Sequence, residues 1–200
     1  MYKIVFIDFD GTIIKEDSLD LLCEMYSNKN WKEKDKLWEM GEIGSLENLE
    51  FCLDFEITYK MLDEVIKKLT IRDGFFEFIE YLKTQNIEYY IVSEGIDYII
   101  RKVTQIDKSK IFSNKLEDNR IVFIKNHQNC EFLDECKKCS CCKVNFINQF
   151  KNYYKIYIGN GYSDRFAIKK VDKIFATDKL VNICKQYIYF ENFEDIKEIL

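Results

Sequence analysis

The stretch from Lys3 to Asp8 is almost all apolar and alternates poorly. That pattern predicts a strand buried on both faces, as in a parallel sheet covered by helices. It runs into Asp8-Phe9-Asp10-Gly11-Thr12, a turn. From about Glu16 to Leu69 the apolar spacing is helical. Leu19, Leu22, Cys23 and Tyr26 share one face, and Met61, Leu62, Val65, Ile66 and Leu69 share another. Gly41 and Gly44 break this stretch once, and it holds no strand-like run. After Asp73-Gly74 a helix over 75–83 leads to a second buried strand, 88–92, which ends at Ser93-Glu94-Gly95. A helix over 96–103 and a hairpin over 111–124 around Glu117-Asp118-Asn119 follow. A helix over 143–150, a strand over 155–158, and short strands over 173–176 and 188–190 with helices between and after them complete the chain.

A first strand, a helical insertion, then alternating helices and strands imply an α/β fold. We expect a doubly wound, mostly parallel, Rossmann-like sheet, with core segments 1–14 and 73–200 and an all-helical cap over 15–72. Sites in such sheets lie at the carboxyl ends of the strands. Three predicted strand ends carry polar clusters, Asp8/Asp10, Ser93 and Asn160/Asp164, so these are expected to meet.

Composition narrows the function. The 200 residues are 47% hydrophobic and 32% charged, as in a globular domain rather than a disordered chain. A net charge of −5 argues against nucleic acid as a partner. The longest apolar runs are about five residues, too short for a membrane span. An acid at position 8 comes too early for a signal peptide, so the expected location is the cytoplasm. Proline is absent, and Lys, Ile, Asn, Tyr and Phe are abundant, which reads as host-genome bias.

Two carboxylates one residue apart repel unless a cation or a proton separates them. A hard divalent ion with oxygen ligands, Mg²⁺, answers this and recruits phosphate. One carboxylate can then attack phosphorus, while the other protonates the leaving alkoxide and later activates water. Ser93 offers a hydroxyl and a helix N-terminus to phosphoryl oxygens. Lys143 offers a positive charge for the transition state.

Asp8-Phe9-Asp10-Gly11-Thr12, Ser93, Lys143 and Gly159-Asn160-x-x-x-Asp164 together resemble the four motifs of the haloacid-dehalogenase (HAD) superfamily of phosphohydrolases. The helical insertion resembles the C1 cap of its phosphoserine-phosphatase-like branch. The run Cys139-Ser140-Cys141-Cys142-Lys143 is similar to one in the methionine-salvage phosphatases (2-hydroxy-3-keto-5-methylthiopentenyl-1-phosphate phosphatases). The resemblance implies a small phosphorylated metabolite as substrate. It implies Asp8 as nucleophile and Mg²⁺ ligand, and Asp10 as general acid/base with its backbone carbonyl on Mg²⁺. It gives Thr12 a supporting role and phosphate to Ser93, Lys143 and the backbone of Glu94 and Gly95. Asn160 and Asp164 would complete the metal site, directly or through water. Asp17 matches a cap-side acidic position that touches substrate. The second aspartate argues against dehalogenation.

Asn160 stands where the family usually has Asp, which removes a negative charge and weakens the expected Mg²⁺ binding. A non-catalytic phosphate- or metal-binding protein is the alternative reading. Glu94 stands where relatives often have Gly. Either its side chain points outward or it selects substrate charge. Five of the eight cysteines, Cys130, Cys136, Cys139, Cys141 and Cys142, fall in one stretch. A structural Zn²⁺ clip on the loop that presents Lys143, free packed thiols, and a disulfide or redox switch are the three readings. His127 reads as a solvated loop histidine, or as a further zinc ligand. Trp31, Trp38 and Met40 read as cap packing or as a pocket wall. Cys23, Cys52 and Cys184 read as buried thiols.

Overall fold

The computed structural model describes residues 2–200; Met1, where the expected core segment 1–14 begins, lies outside the described residues. Its sheet has the order β4-β3-β2-β1-β5-β6-β7. The strands are β1 (Tyr2–Ile7), β2 (Glu88–Ile96), β3 (Ile111–Glu117), β4 (Arg120–Val122), β5 (Tyr153–Gly159), β6 (Lys173–Ala176) and β7 (Ile188–Tyr189). All neighbours are parallel except the β3–β4 hairpin, which turns through Asp118 and Asn119 at φ 49° and 59°. The α/β doubly wound arrangement read from the sequence is the observed one.

The alternation hidden in the apolar run of β1 serves two layers. Val5 and Ile7 join one apolar cluster, and Ile4 and Phe6 join the other, all fully buried. The second cluster is aromatic at its edge: Phe6 lies 5.4 Å from Phe150, and Phe146 stacks on Phe112 at 4.2 Å. The chain builds β2 and β3 on one side of β1, then β5 to β7 on the other. The switch between directions therefore falls beside β1. Ile7 pairs with Ile91 and with Ile158, so Asp8, Ser93 and Asn160 emerge at the same edge.

The helical insert is four short helices, α1 (Ser18–Tyr26), α2 (Trp31–Glu39), α3 (Ser45–Cys52) and α4 (Tyr59–Ile66), broken three times rather than once. Asp17 caps α1 by accepting from Leu19 N and Asp20 N, and Thr58 caps α4. An antiparallel bridge, Ile14 to Ile71, ties the two ends of the insert together. Leu19, Leu22, Ile57, Leu62 and Val65 of the insert share one cluster with core residues such as Ile79, Ile91 and Ile100.

The core helices are α5 (Phe75–Thr84), α6 (Asp97–Thr104), α7 (Leu133–Cys136), α8 (Lys143–Ile147) and α9 (Phe193–Ile199). Helix α8 is shorter than its apolar pattern predicts. The segments after β5 and β6 are 3₁₀ turns, 162–164, 167–170 and 178–182, where helices were expected. Strand β2 runs to Ile96, and its register against β3 shifts between Val92 and Ile96. Ser93 therefore sits in a bulged strand end and not at a helix N-terminus, which corrects that expectation. The bulge aims Ser93 and Glu94 out of the ladder and toward the site.

Candidate active site

Asp8 leaves β1 with its N–H donating to Ile158 O at 2.9 Å, and is 4% exposed. The next residues turn back sharply. Gly11 has φ +68°, and a Cβ there would meet the Asn160 side chain at 1.9 Å, so only glycine fits both demands. Arg72 holds this turn from outside. Its guanidinium donates to Gly11 O at 2.7 Å, to Thr12 O at 2.9 Å and to Glu191 O at 2.9 Å. The sequence reading missed Arg72, because a lone arginine beside Asp73-Gly74 carries no motif.

Lys143, at the start of α8, buries its ammonium between two carboxylates. It donates to Asp8 Oδ1 at 2.8 Å, to Asp164 Oδ1 at 2.7 Å and to Ser163 Oγ at 3.1 Å. Burial disfavours the charged lysine, but Asp164, Asp8 and Tyr157 outweigh it and hold its pKa well above the ordinary value. Burial pushes the Asp8 carboxyl up to about 7, with Asp164 adding to the rise and Lys143 opposing it.

Asp164 is saturated. Its Oδ1 accepts from Lys143 and from the Tyr157 hydroxyl at 2.6 Å, and its Oδ2 accepts from Asn160 N at 3.0 Å and Gly161 N at 3.1 Å. A carboxylate offers about four lone-pair sites, and these donors take them all. Asp164 thus anchors Lys143 and the Asn160 loop. Tyr157, fully buried on β5, was also missed; it reads as one more core aromatic until its hydroxyl is placed. Asn160 turns its amide oxygen to the Thr12 hydroxyl, 3.2 Å away.

Asp10 faces the insert. Its Oδ1 accepts from Ser18 N at 2.7 Å, at the start of α1, and Ser93 Oγ lies 3.5 Å from its Oδ2. The Ser18 hydroxyl is buried beside the same carboxyl without a well-aligned partner. Burial and then the Asp17 charge raise the Asp10 pKa well above its ordinary value. Gly95 N donates to Ser93 Oγ at 2.9 Å, so this amide orients the serine. A Cβ on Gly95 would meet Asp10 Oδ2 at 2.9 Å, which keeps that approach open only to glycine.

Glu94 does not point outward, which corrects that reading. Its Oε1 accepts from Ser45 Oγ at the start of α3, from Ser140 Oγ at 3.0 Å and from Ser140 N at 3.2 Å. The side chain is thereby a clasp between the insert, the strand end and the cysteine loop.

These groups open on a cleft of about 580 Å³ between sheet edge and insert. Asp8, Asp10, Asp17, Ser93, Glu94 and Asn160 all reach it, with Trp38 from α2 on its wall. Trp31 packs against the core cluster, and Met40 is exposed at 64%. The volume suits a small metabolite.

The cysteine run forms a second cluster. Among the described residues no three His, Cys, Asp or Glu side chains are grouped so as to hold a metal ion. The expected zinc clip through Cys130, Cys136, Cys139, Cys141 and Cys142 therefore has no cage; the thiols line a small cavity that borders the cleft at Ser45 and Glu94. His127 hydrogen-bonds Cys139 O at 3.1 Å and acts as a loop fastener. Cys23 and Cys52 are buried, whereas Cys184 is half-buried against Gln186 O. No helix among the described residues is long and apolar enough to cross a membrane.

Fold and site together define a class. Residues 5–168 match the family model of the haloacid dehalogenase-like hydrolases, and the chain belongs to that family, as a HAD-type phosphatase. Its relatives include the 2-hydroxy-3-keto-5-methylthiopentenyl-1-phosphate phosphatase of Bacillus cereus strain AH187, 31% identical over 96% of this chain and 93% of that one. The same-named protein of Bacillus anthracis strain CDC 684 matches equally, at 31% over the same shares. In fold, the chain is similar to a substrate-bound phosphoserine phosphatase (TM-score 0.73, 16% identity, 100% of this chain and 99% of that one). A phosphoserine phosphohydrolase-like protein from Francisella tularensis superposes over the full length of both chains (TM-score 0.72, 23% identity).

Proposed function

We propose that the chain is a Mg²⁺-dependent phosphomonoester hydrolase that works through an aspartyl-phosphate on Asp8, with a small phosphorylated metabolite as substrate. A methylthio-sugar phosphate, as in the name of the 31% identical relatives, is the first substrate to try. One observation carries the reading: a buried ammonium, Lys143, bridges Asp164 and Asp8, and Asp8 lines a cleft that Asp10 and Ser93 also reach.

The donor set around Asp8 is all oxygen and suits a hard cation. The Asp8 carboxylate, the Asp10 backbone carbonyl and the Asn160 amide oxygen would hold Mg²⁺, with Asp164 orienting that loop. When bound, the cation supplies charge neutralisation at the transferring phosphoryl group. Asp8 attacks phosphorus. Lys143 and Ser93 hold the phosphoryl oxygens. Asp10, its pKa raised by burial, carries the proton that the leaving alkoxide takes. Asp10 then accepts a proton from the water that hydrolyses the acyl-phosphate. Glu94, held by Ser45 and Ser140, keeps the insert against the strand end, so that water is excluded during transfer.

The test is release of p-nitrophenol from p-nitrophenyl phosphate, and of phosphate from a panel of small phosphate esters, with Mg²⁺ and with EDTA. Turnover that needs Mg²⁺, and that Asp8→Asn abolishes while leaving the melting temperature near that of the parent, is the expected result. Thermal stabilisation by phosphate esters with no release would favour the binding-protein reading instead.

A further inference from the structure

The loop from Lys125 to Cys142 holds four non-glycine residues in the left-handed region. Lys125, Asn129, Lys137 and Lys138 take φ values of 51°, 60°, 52° and 72°. Such conformations cost non-glycine residues free energy and persist where surrounding contacts hold them. Here those contacts lead to the insert. Leu46 N donates to Lys138 O at 3.2 Å, Lys137 Nζ donates to Glu42 O at 2.8 Å, and Ser140 joins the Glu94–Ser45 clasp. Lys143 follows at once. A change in this loop therefore reaches the insert and the buried ammonium together.

Within the loop the cysteines face a common space. Cys130, Cys136, Cys139, Cys141 and Cys142 all line one cavity, and Cys142 Sγ, at the head of α8, accepts from Asn145 N at 3.5 Å. Cys139 is the most exposed of the five, and the others are buried. Cys141 stands apart, its Sγ turned to Phe112 O at 3.9 Å. The sulfurs border a cavity of about 30 Å³, which admits a water-sized molecule. The Cys142 pKa is brought down to about 6, by the neighbouring Cys139 side chain first and by the backbone N–H of Asn145 as well. Burial pushes the Cys130 thiol up to about 12. Thiolates are the reactive form, so Cys142 is the strongest nucleophile of the set near neutral pH. The pairing of a thiolate with an adjacent resolving thiol is the arrangement of redox-sensing cysteines.

We propose that Cys142 and Cys139 form a peroxide-sensitive pair that closes to a reversible disulfide and, by reshaping the turn at Ser140, releases the clasp and displaces Lys143. The Cys142 thiolate attacks one oxygen of hydrogen peroxide. The O–O bond breaks, and hydroxide leaves and takes up a proton to give water. The resulting sulfenic acid is attacked by Cys139 sulfur, which gives up its proton to the departing hydroxide as the S–S bond forms. Both sulfurs are oxidised, the peroxide is reduced to water, and a dithiol reverses the step by exchange. The site stands independently of the substrate, and only its effect on turnover rests on the hydrolase reading.

Peptide mapping tests it. Trypsin cuts after Lys138 and Lys143, so a Cys139–Cys142 bond stays inside the peptide 139–143, whereas a bond to Cys136 or Cys130 joins two peptides. The Cys141→Ser chain, treated with equimolar peroxide and then alkylated, is expected to give the 139–143 peptide lighter by two hydrogens and unalkylated. Dithiothreitol is expected to restore both thiols. Cys142→Ser is expected to leave no such bond. Hydrolysis of p-nitrophenyl phosphate is expected to fall severalfold on oxidation and return on reduction. Alkylation of both cysteines after peroxide, or a bond to Cys136, overturns the site. A formed disulfide with unchanged hydrolysis overturns the coupling to Lys143. A reduced protein that hydrolyses nothing overturns the hydrolase reading and leaves the mapped bond to stand or fall by mass alone.

Discussion

Each acid at the site takes its character from its neighbours. Asp8 is buried, and burial raises its pKa from the ordinary 3.8 to about 7. The folded protein thus holds that proton more tightly than the unfolded chain does. The linked stability is fully present below about pH 4 and is lost as pH rises through about 7. In EDTA, the melting temperature of the parent is expected to fall across this window more steeply than that of Asp8→Asn. At the proposed cation site Mg²⁺ would compete with the Asp8 proton, so it is expected to stabilise more at pH 8 than at pH 5; equal shifts at both would remove Asp8 from that proposed site. Arg72 illustrates a different economy. Three backbone carbonyls share one guanidinium, and lysine cannot reproduce that planar fork. Arg72→Lys is expected to lose about 1–3 kcal/mol through unpaired carbonyls, measured by urea titration, and to lower kcat because the turn bearing Asp10 loosens.

Between elements, the decisive contacts are backbone on backbone. The N-terminus of α3 lies on the cysteine loop, and a Cβ on Gly44 would meet Lys137 O at 1.9 Å and Lys138 O at 2.4 Å. Neither atom is the end of a flexible side chain. Gly44→Ala is expected to cost about 1–3 kcal/mol, the range for overpacking a tight contact. It should also raise KM, because the clasp of Ser45, Glu94 and Ser140 opens. A Gly44→Ala protein with parental melting temperature and KM would show that the two elements do not dock in solution. The bulge in β2 works the same way. Four residue steps along β2, from Val92 to Ile96, stand against two along β3, from Phe112 to Asn114, and the slack turns Ser93 and Glu94 to the cleft.

Across the whole molecule, the insert and the sheet share one apolar cluster. Helix α2 has no buried residue and rides on its neighbours. Both tryptophans, Trp31 and Trp38, lie on α2. Tryptophan fluorescence therefore reports the insert, and amide exchange at β1 and β5 reports the sheet. Because the cluster is continuous, urea unfolding followed by the two probes is expected to give coincident midpoints. An earlier fluorescence transition would mean that the insert unfolds by itself.

Much of this was legible along the chain. The apolar run of β1 can be buried only on both faces, which implies a covered parallel sheet. Asp8 and Asp10, Ser93 and the Asn160/Asp164 pair follow from polar residues at strand ends, since the carboxyl edge is where such a sheet leaves backbone and side chains free to bind, whereas Lys143, at the start of α8, was singled out by its charge and by the family resemblance. Helix ends and breaks in 16–69 were less legible, because capping by Asp17 and Thr58 competes with a weak apolar period. Three features belonged to the tertiary structure alone. The Tyr157 hydroxyl on Asp164, the Arg72 fork on the first turn and the Glu94 clasp each join residues more than six apart in sequence, through one to three hydrogen bonds. Periodicity records which side of an element meets apolar neighbours. It carries no information on which distant donor an oxygen finds, and that is set only when the sheet edge, the insert and the cysteine loop close on one another.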